Sequence, residues 1–379
     1  MRAAAALLVV LSHVLRIEHE AWVPGGAVYA PAIEIGKVGV YAFFVVSGFV
    51  MYFTSGDEFG SPGAASRFMA KRLVRIAPMY WIFTVLALVS PFMFGWRETK
   101  PIGLLLSFAF LPNLTTTSFL PVLPVGWTLS FEMLFYVVFS ACLILPRPFG
   151  VALLVTIFPA CSLATELLDH TSLARLHWWA AIEWWAAGPT MLFVYGVLLA
   201  MAQAPLRRFA SSARSAWWGV ILLISAPTAA WLAGVALSAT AQRLVAIAAV
   251  TLCILSTSPV RGRFAQVLRL GDASYALYLS HAFVLGALSS CWLAWVGPRN
   301  QVLFAILAIG FSCAIASSLH VHLEAPLTRT LRRFLDGVAT DGDSDPTIAG
   351  IPGDDRRNFR PLIRRRSAPR GGSRQERRT

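Results

Sequence analysis

Apolar stretches of roughly sixteen to twenty-four residues recur from one end of this chain to the other, parted by short loops that carry arginine and lysine. A hydrocarbon slab about 30 Å thick takes about 20 apolar residues of helix to cross. In lipid only helices and closed barrels satisfy their own backbone, and these stretches are about twice the length of a barrel strand. The pattern therefore predicts an all-α integral membrane protein, a bundle of about ten transmembrane helices. The candidate spans are 2–17, 37–55, 77–95, 127–145, 150–168, 184–202, 216–236, 243–258, 272–295 and 302–323. Composition agrees: 57% of the residues are hydrophobic and 13% charged, against roughly 25% charged in a soluble domain.

Segment 101–124 is apolar but holds Pro112, Pro121, Pro124 and the polar run Asn113 to Ser118. Cation placement decides how to read it, because cytoplasmic loops gather lysine and arginine. With the N-terminus in the cytoplasm, Arg67, Lys71, Arg72 and Arg75 fall inside. If 101–124 does not cross, Arg147, the 207–214 and 261–269 clusters, and Arg329, Arg332 and Arg333 fall inside as well. If it crosses, two of those clusters face out. It is therefore expected to be a re-entrant or surface segment. Both termini are expected on the cytoplasmic side of a bacterial inner membrane.

The net charge of +13 is spread over such loops and the C-terminus, so a nucleic-acid partner is not expected. Membrane lipids are. The apolar pattern ends near Asp336, giving a membrane domain over 1–335 and a disordered charged tail over 336–379. That tail runs from an acidic stretch into ten arginines between Arg356 and Thr379. It suits anionic lipid, and equally a solvated tail of no specific role. The five cysteines form no CxxC pair and read as small buried hydrophobes. No spacing suits a metal. No cleavable leader is evident. The first apolar run, Ala3 to Leu15, reaches only about 20 Å, so this helix is expected to start upstream or to lie partly within the bundle.

An ionisable side chain inside a span is costly and points to function. His13 lies deep in the first span, eleven residues from Arg2 and so on the same helix face, about 16 Å further in. Imidazole suits a general base, though a lone histidine equally suits packing. Arg72 and Arg75 share a face at the start of the third span, before Pro78. They can grip phosphate or simply anchor the helix. Glu132 opens the next span with Tyr136 at i+4, after Trp127, itself suited to an interfacial belt. Asp272 suits an N-cap. Ser274, Tyr278 and His281 share a face, as a cavity wall or as interhelical bonding. His320 and Glu324, at i and i+4, can couple.

Taken in order these residues resemble the membrane acyltransferase-3 family of bacterial polysaccharide, O-antigen and Nod-factor O-acetyltransferases. The matching positions are Arg2 through His13; Gly39 through Phe49; Arg72, Arg75, Pro78 and Trp81; Gly126, Trp127 and Glu132; Gly271 through His281; and Glu324 with Pro326. The appearance is nearest the exopolysaccharide acetyltransferases related to the succinoglycan enzyme. Two departures stand out: the few residues that usually precede the Arg2 position are absent, and Tyr41 stands where an aspartate is common.

The resemblance implies transfer of an acyl group, usually acetyl from acetyl-CoA, to a carbohydrate hydroxyl. On that reading His13 is the base, oriented by Glu324 or Glu132, and Arg2, Arg72 and Arg75 hold the CoA. Trp127, Ser274, Tyr275, Tyr278 and His281 line the substrate site. The pantetheine arm, on the order of 15–20 Å long by ordinary bond lengths, matches the Arg2–His13 rise. Two other classes compete: a transporter or flippase of a lipid-linked sugar, which would also need midplane polar groups, and a purely structural or sensory protein. An inverted repeat would favour the first, and none is visible.

Overall fold

The computed structural model describes residues 1–22, 29–90, 100–114, 119–167, 177–207, 215–256 and 270–341. The chain divides into two units, Met1–Leu335 and Asp336–Thr379. The described residues of the first are mostly helical and contain no strand beyond one isolated bridge, Asn113 to Phe119.

The helices are α1 (Arg2–Trp22), α2 (Tyr29–Ser55), α3 (Ala64–Val89), α4 (Pro101–Phe108), α5 (Trp127–Leu143), α6 (Arg147–Leu167), α7 (His177–Ala187), α8 (Thr190–Arg207), α9 (Ser215–Leu232), α10 (Ala239–Leu255), α11 (Ser274–Trp295), α12 (Gln301–Leu319) and α13 (Ala325–Asp341). A 3₁₀ turn, Pro124–Gly126, leads into α5, and a π turn, His320–Glu324, joins α12 to α13. Among the described residues seven helical stretches are long and apolar enough to cross a membrane, and α9 and α10 supply two shorter apolar ones. This is a multi-pass membrane protein.

Burial separates centre from rim. The crossing stretch of α2 is 61% buried, whereas that running from α12 into α13 is 22% buried. Val89, Leu167, Trp295 and Val302 face outward, where lipid rather than water would meet them. The central position of α2 depends on glycine. A Cβ on Gly48 would collide with the Phe193 carbonyl of α8, and one on Gly196 would collide with the Val45 carbonyl of α2. On the α1 side, a Cβ on Gly39 would stand 2.5 Å from the Ala5 carbonyl. With no hydrophobic force between helices in lipid, such close backbone approach is how they associate.

Segment 101–124 does not build a crossing helix. Its helix α4 has eight residues, about 12 Å of rise. The chain then folds against α3, where the Trp81 indole N–H donates to the Phe108 carbonyl at 3.0 Å and Phe110 stacks on Tyr80 at 4.6 Å. Ser107 Oγ accepts from the Val122 N–H at 2.9 Å. These contacts hold the described part of the segment against protein, the cover that irregular backbone needs at membrane depth.

Several boundaries differ from expectation. α1 has 21 residues, about 31 Å, so it is longer than its apolar run. α3 begins at Ala64 rather than near 77, and Pro78 lies inside it. Pro326 also lies within a helical run. The π turn, closed by the Ala325 N–H on the His320 carbonyl, absorbs the donor that proline lacks, and α13 continues. Asp272 is not the N-cap of α11; Ala273 is, without a side-chain cap. α13 reaches Asp341, so helix continues six residues beyond the 335/336 boundary; tail residues 342–379 lie outside the described residues.

Candidate active site

Helices α1, α2, α3, α5 and α11 enclose a cavity of about 100 Å³ accessible to water. Its polar lining comprises Arg2, Ser47, Arg72, Arg75, Thr128, Glu132, Tyr136, Ser274, Tyr275 and Tyr278. Three guanidinium groups thus face one carboxylate. Ionised groups in a lipid-embedded cavity are tolerated only when balanced. This lining is short of negative charge by two, which is what an anionic ligand supplies.

The helical period explains each placement. On α3, Arg72 and Arg75 are three residues apart and share a face. Arg72 lies over the Phe68 ring at 5.2 Å and donates to Thr54 Oγ1 at 3.3 Å, while its Nε is buried without a partner. On α5, Thr128, Glu132 and Tyr136 recur every four residues. Glu132 accepts from Ser47 Oγ at 3.1 Å and from the Tyr136 hydroxyl on the same carboxylate oxygen. On α11, the Tyr275 hydroxyl donates to the Ile76 carbonyl at 2.8 Å. The Tyr278 hydroxyl donates to the Val125 carbonyl at 2.5 Å, so it accepts from Thr128 at 2.8 Å. Both tyrosines tie α11 to its neighbours and form wall rather than ligand-seeking groups. Ser274 Oγ is buried with no partner and remains available to a ligand.

His13 lies apart from this cavity, about three helical turns along α1 from Arg2. Its Nδ1 lies 2.9 Å from the Val9 carbonyl. A carbonyl only accepts, so the neutral ring carries its hydrogen on Nδ1 and leaves Nε2 unprotonated. The His281 ring stands edge-to-face against it, centroids 4.8 Å apart.

The structure therefore sorts the expected residues into two groups. Arg2, Arg72, Arg75, Glu132, Ser274, Tyr275 and Tyr278 come together; His13 and His281 pair elsewhere. Trp127 does not line the cavity. It packs T-shaped on Phe131 at 5.8 Å, because the residue before Thr128 turns to the other side of α5. Glu132 belongs to the arginine cavity, and Glu324, in the π turn, bonds His320 Nδ1 at 2.9 Å and lies within Coulombic range of Arg2 and Tyr275. The Val9 carbonyl holds the Nδ1 edge of the His13 ring. Ser47, Thr128 and Tyr136 were not anticipated as lining; small polar residues recurring in otherwise apolar spans were the available signal.

Comparison with known proteins decides the class. The profile of the family described as "Acyltransferase domain" matches residues 1–321. The chain belongs to the membrane acyltransferase-3 family. Among its relatives, the exopolysaccharide production protein ExoZ of Rhizobium meliloti is 30% identical over 319 residues, covering 80% of this chain and 94% of that protein. The acyltransferase MdmB of Streptomyces mycarofaciens is 26% identical over 375 residues, covering 88% and 91%. No solved structure matches. The protein is thus an acyltransferase enzyme of the membrane, and the transporter and sensory readings give way to it. Among the described residues no three histidine, cysteine or acidic side chains converge as metal ligands.

Proposed function

We propose that this enzyme moves an acetyl group from cytoplasmic acetyl-CoA to a hydroxyl of a cell-surface or exported carbohydrate. The observation that carries the reading is the excess of arginine in the cavity: Arg2, Arg72 and Arg75 against Glu132 suit the phosphates of CoA. His13, with Nε2 unprotonated, would lie one pantetheine length away along α1 and take the hydroxyl proton as the oxygen attacks the thioester carbon. Glu132 and Glu324 act as counter-charges to the arginines, and Ser274 contacts the donor. The carbohydrate acceptor is supported by the name of the exopolysaccharide relative. The membrane is the bacterial inner membrane, residues 1–335 form the catalytic domain, and α1 with the two shorter apolar helices brings the crossings to ten.

The experiment is transfer from labelled acetyl-CoA to alkali-labile positions on host glycans, comparing wild type with His13→Ala. Loss of a positioned base costs about 10²–10⁴-fold in rate. Label that reaches no glycan from wild-type protein would refute the donor and acceptor together, and a His13→Ala variant of near-normal rate would remove His13.

A further inference from the structure

The N-terminal parts of α2 and α10 meet through polar groups. On α2, Glu34, Lys37 and Tyr41 stand at i, i+3 and i+7 and form one stripe two turns long. Lys37 pairs with Glu34 at 2.9 Å. On α10, the Gln242 amide nitrogen donates to the Glu34 carboxylate and, at 2.6 Å, to the Leu237 carbonyl. The Arg243 guanidinium lies 5.9 Å from the centre of the Tyr41 ring. Both partners of the amide nitrogen are acceptors, which fixes the orientation of the amide. Its other end, Gln242 Oε1, is buried without a hydrogen-bond partner, on a residue only 2% exposed. On the next residue Arg243 Nε is buried without a partner as well. An orphan acceptor and an orphan donor on adjacent residues are costly, and a ligand that meets both removes the cost.

The pair selects its ligand. A sugar hydroxyl donates and accepts, so neighbouring hydroxyls satisfy both atoms. A phosphate at neutral pH offers acceptors, leaves Gln242 Oε1 unmet and meets Glu34 as a like charge. The cluster lies one turn below the α9–α10 loop, where Val235 is 57% exposed. With the N-terminus in the cytoplasm that loop faces the periplasm, where an exported carbohydrate is found. The glycines that seat α2 on α1 are Gly36, against Ser12, and Gly39, against Ala5. At about 100° per residue they project from the side of α2 opposite Glu34 and Tyr41. The width of α2, about 10 Å, thus parts the cluster from the helix that carries His13.

We propose that Gln242 and Arg243, with Glu34 fixing the amide, form a distal subsite for the carbohydrate acceptor. It holds a sugar unit further along the chain than the one acylated. This rests on the reading of the enzyme as a carbohydrate acyltransferase. No bond forms or breaks at the subsite: Gln242 Oε1 accepts from a hydroxyl, and Arg243 Nε donates to one.

The test uses the full chain in phosphatidylcholine nanodiscs and compares wild type with Arg243→Met, which keeps a long stem and removes the donor. The probe is a set of oligosaccharides cut from the host's exopolysaccharide and freed of acetyl groups with mild alkali. Binding is followed by saturation-transfer NMR without acetyl-CoA, and Arg243→Met should weaken it about tenfold. In acetyl transfer to the same oligosaccharides, KM for the acceptor should rise by a like factor while KM for acetyl-CoA stays within twofold. Binding within twofold of wild type in Arg243→Met overturns the proposal, as does a wild type that binds none of the oligosaccharides. An acetyl-CoA KM that rises in parallel with the acceptor KM overturns it too. Phosphatidylglycerol added to the discs tests a lipid headgroup in its place. A thermal midpoint that rises with that lipid in wild type alone, with oligosaccharide binding equal in the two proteins, overturns the carbohydrate subsite. If Arg243→Met does not accumulate, Arg243→Lys, which lacks Nε, is compared instead, and binding within twofold again overturns it. Weakened binding in the variant, from a wild type that transfers no acetyl group, would sustain the subsite while refuting the proposed function. Transfer that proceeds with an unchanged acceptor KM in Arg243→Met would do the reverse.

Discussion

On the proposed reading, the arginine cavity holds the donor and His13 takes the acceptor proton. Arg72→Ala and Arg75→Ala each remove charge-assisted bonds worth about 1.5–3 kcal/mol, about tenfold to a hundredfold in apparent affinity. KM for acetyl-CoA should rise by that factor while abundance in the membrane changes little. Lysine should rescue in part, since an ammonium restores charge without the planar fork. Unchanged KM in the double variant would leave these arginines as anchors. His13 offers a second prediction. A base that works by direct transfer forms no acyl-enzyme, so protein held with acetyl-CoA alone should carry no acetyl group on His13 by mass spectrometry. A stable adduct there would replace direct transfer with a two-step route.

At the scale of elements, glycine contacts govern how the helices meet. Gly48→Ala forces a methyl group into the Phe193 carbonyl, and Gly196→Ala does the same at Val45. Overpacking of this kind costs about 1–3 kcal/mol. Each variant should lower the thermal unfolding midpoint in detergent, and because both act on one α2–α8 crossing the double variant should lose less than the sum. Additive losses would mean that the two positions are independent. What the sequence made legible at this scale follows from periodicity and charge. Arg2 and His13 share a face because eleven residues make three turns, Arg72 and Arg75 because they are one turn apart, and His320 reaches Glu324 for the same reason. The loop cations point away from a crossing helix at 101–124, and the described part of that segment holds only the eight-residue α4. What stayed hidden required knowing which helices touch. Ser47 meets Glu132, 85 positions away, and Thr128 meets Tyr278, 150 away. No local pattern encodes those pairings. Pro78 lies inside α3, and a π turn keeps Pro326 within one continuous helical run.

For the whole molecule, the donor reading requires the arginine cavity to open where CoA is, and this makes topology a test of mechanism. Arg72 and Arg75 follow the α2–α3 hairpin, whose turn holds Gly60 and Gly63 in the left-handed region and carries Arg67 near Glu58 at 4.0 Å. A turn rich in charge is held in the cytoplasm by the positive-inside bias. The C-terminal arginines beyond Arg356 carry the same bias. Both sites should therefore lie inside, which demands an even number of crossings between them and agrees with ten in all. Alkaline phosphatase folds only in the periplasm, so fusions placed within Gly60–Gly63 and after Thr379 should be inactive, and fluorescent-protein fusions at the same two points should glow. A fusion after Leu232, at the end of α9, should show the reverse. An active phosphatase after Thr379 would break the ten-span arrangement. An active phosphatase in the 60–63 turn would do more: it would put Arg72 and Arg75 on the face away from CoA and leave the cavity without its donor.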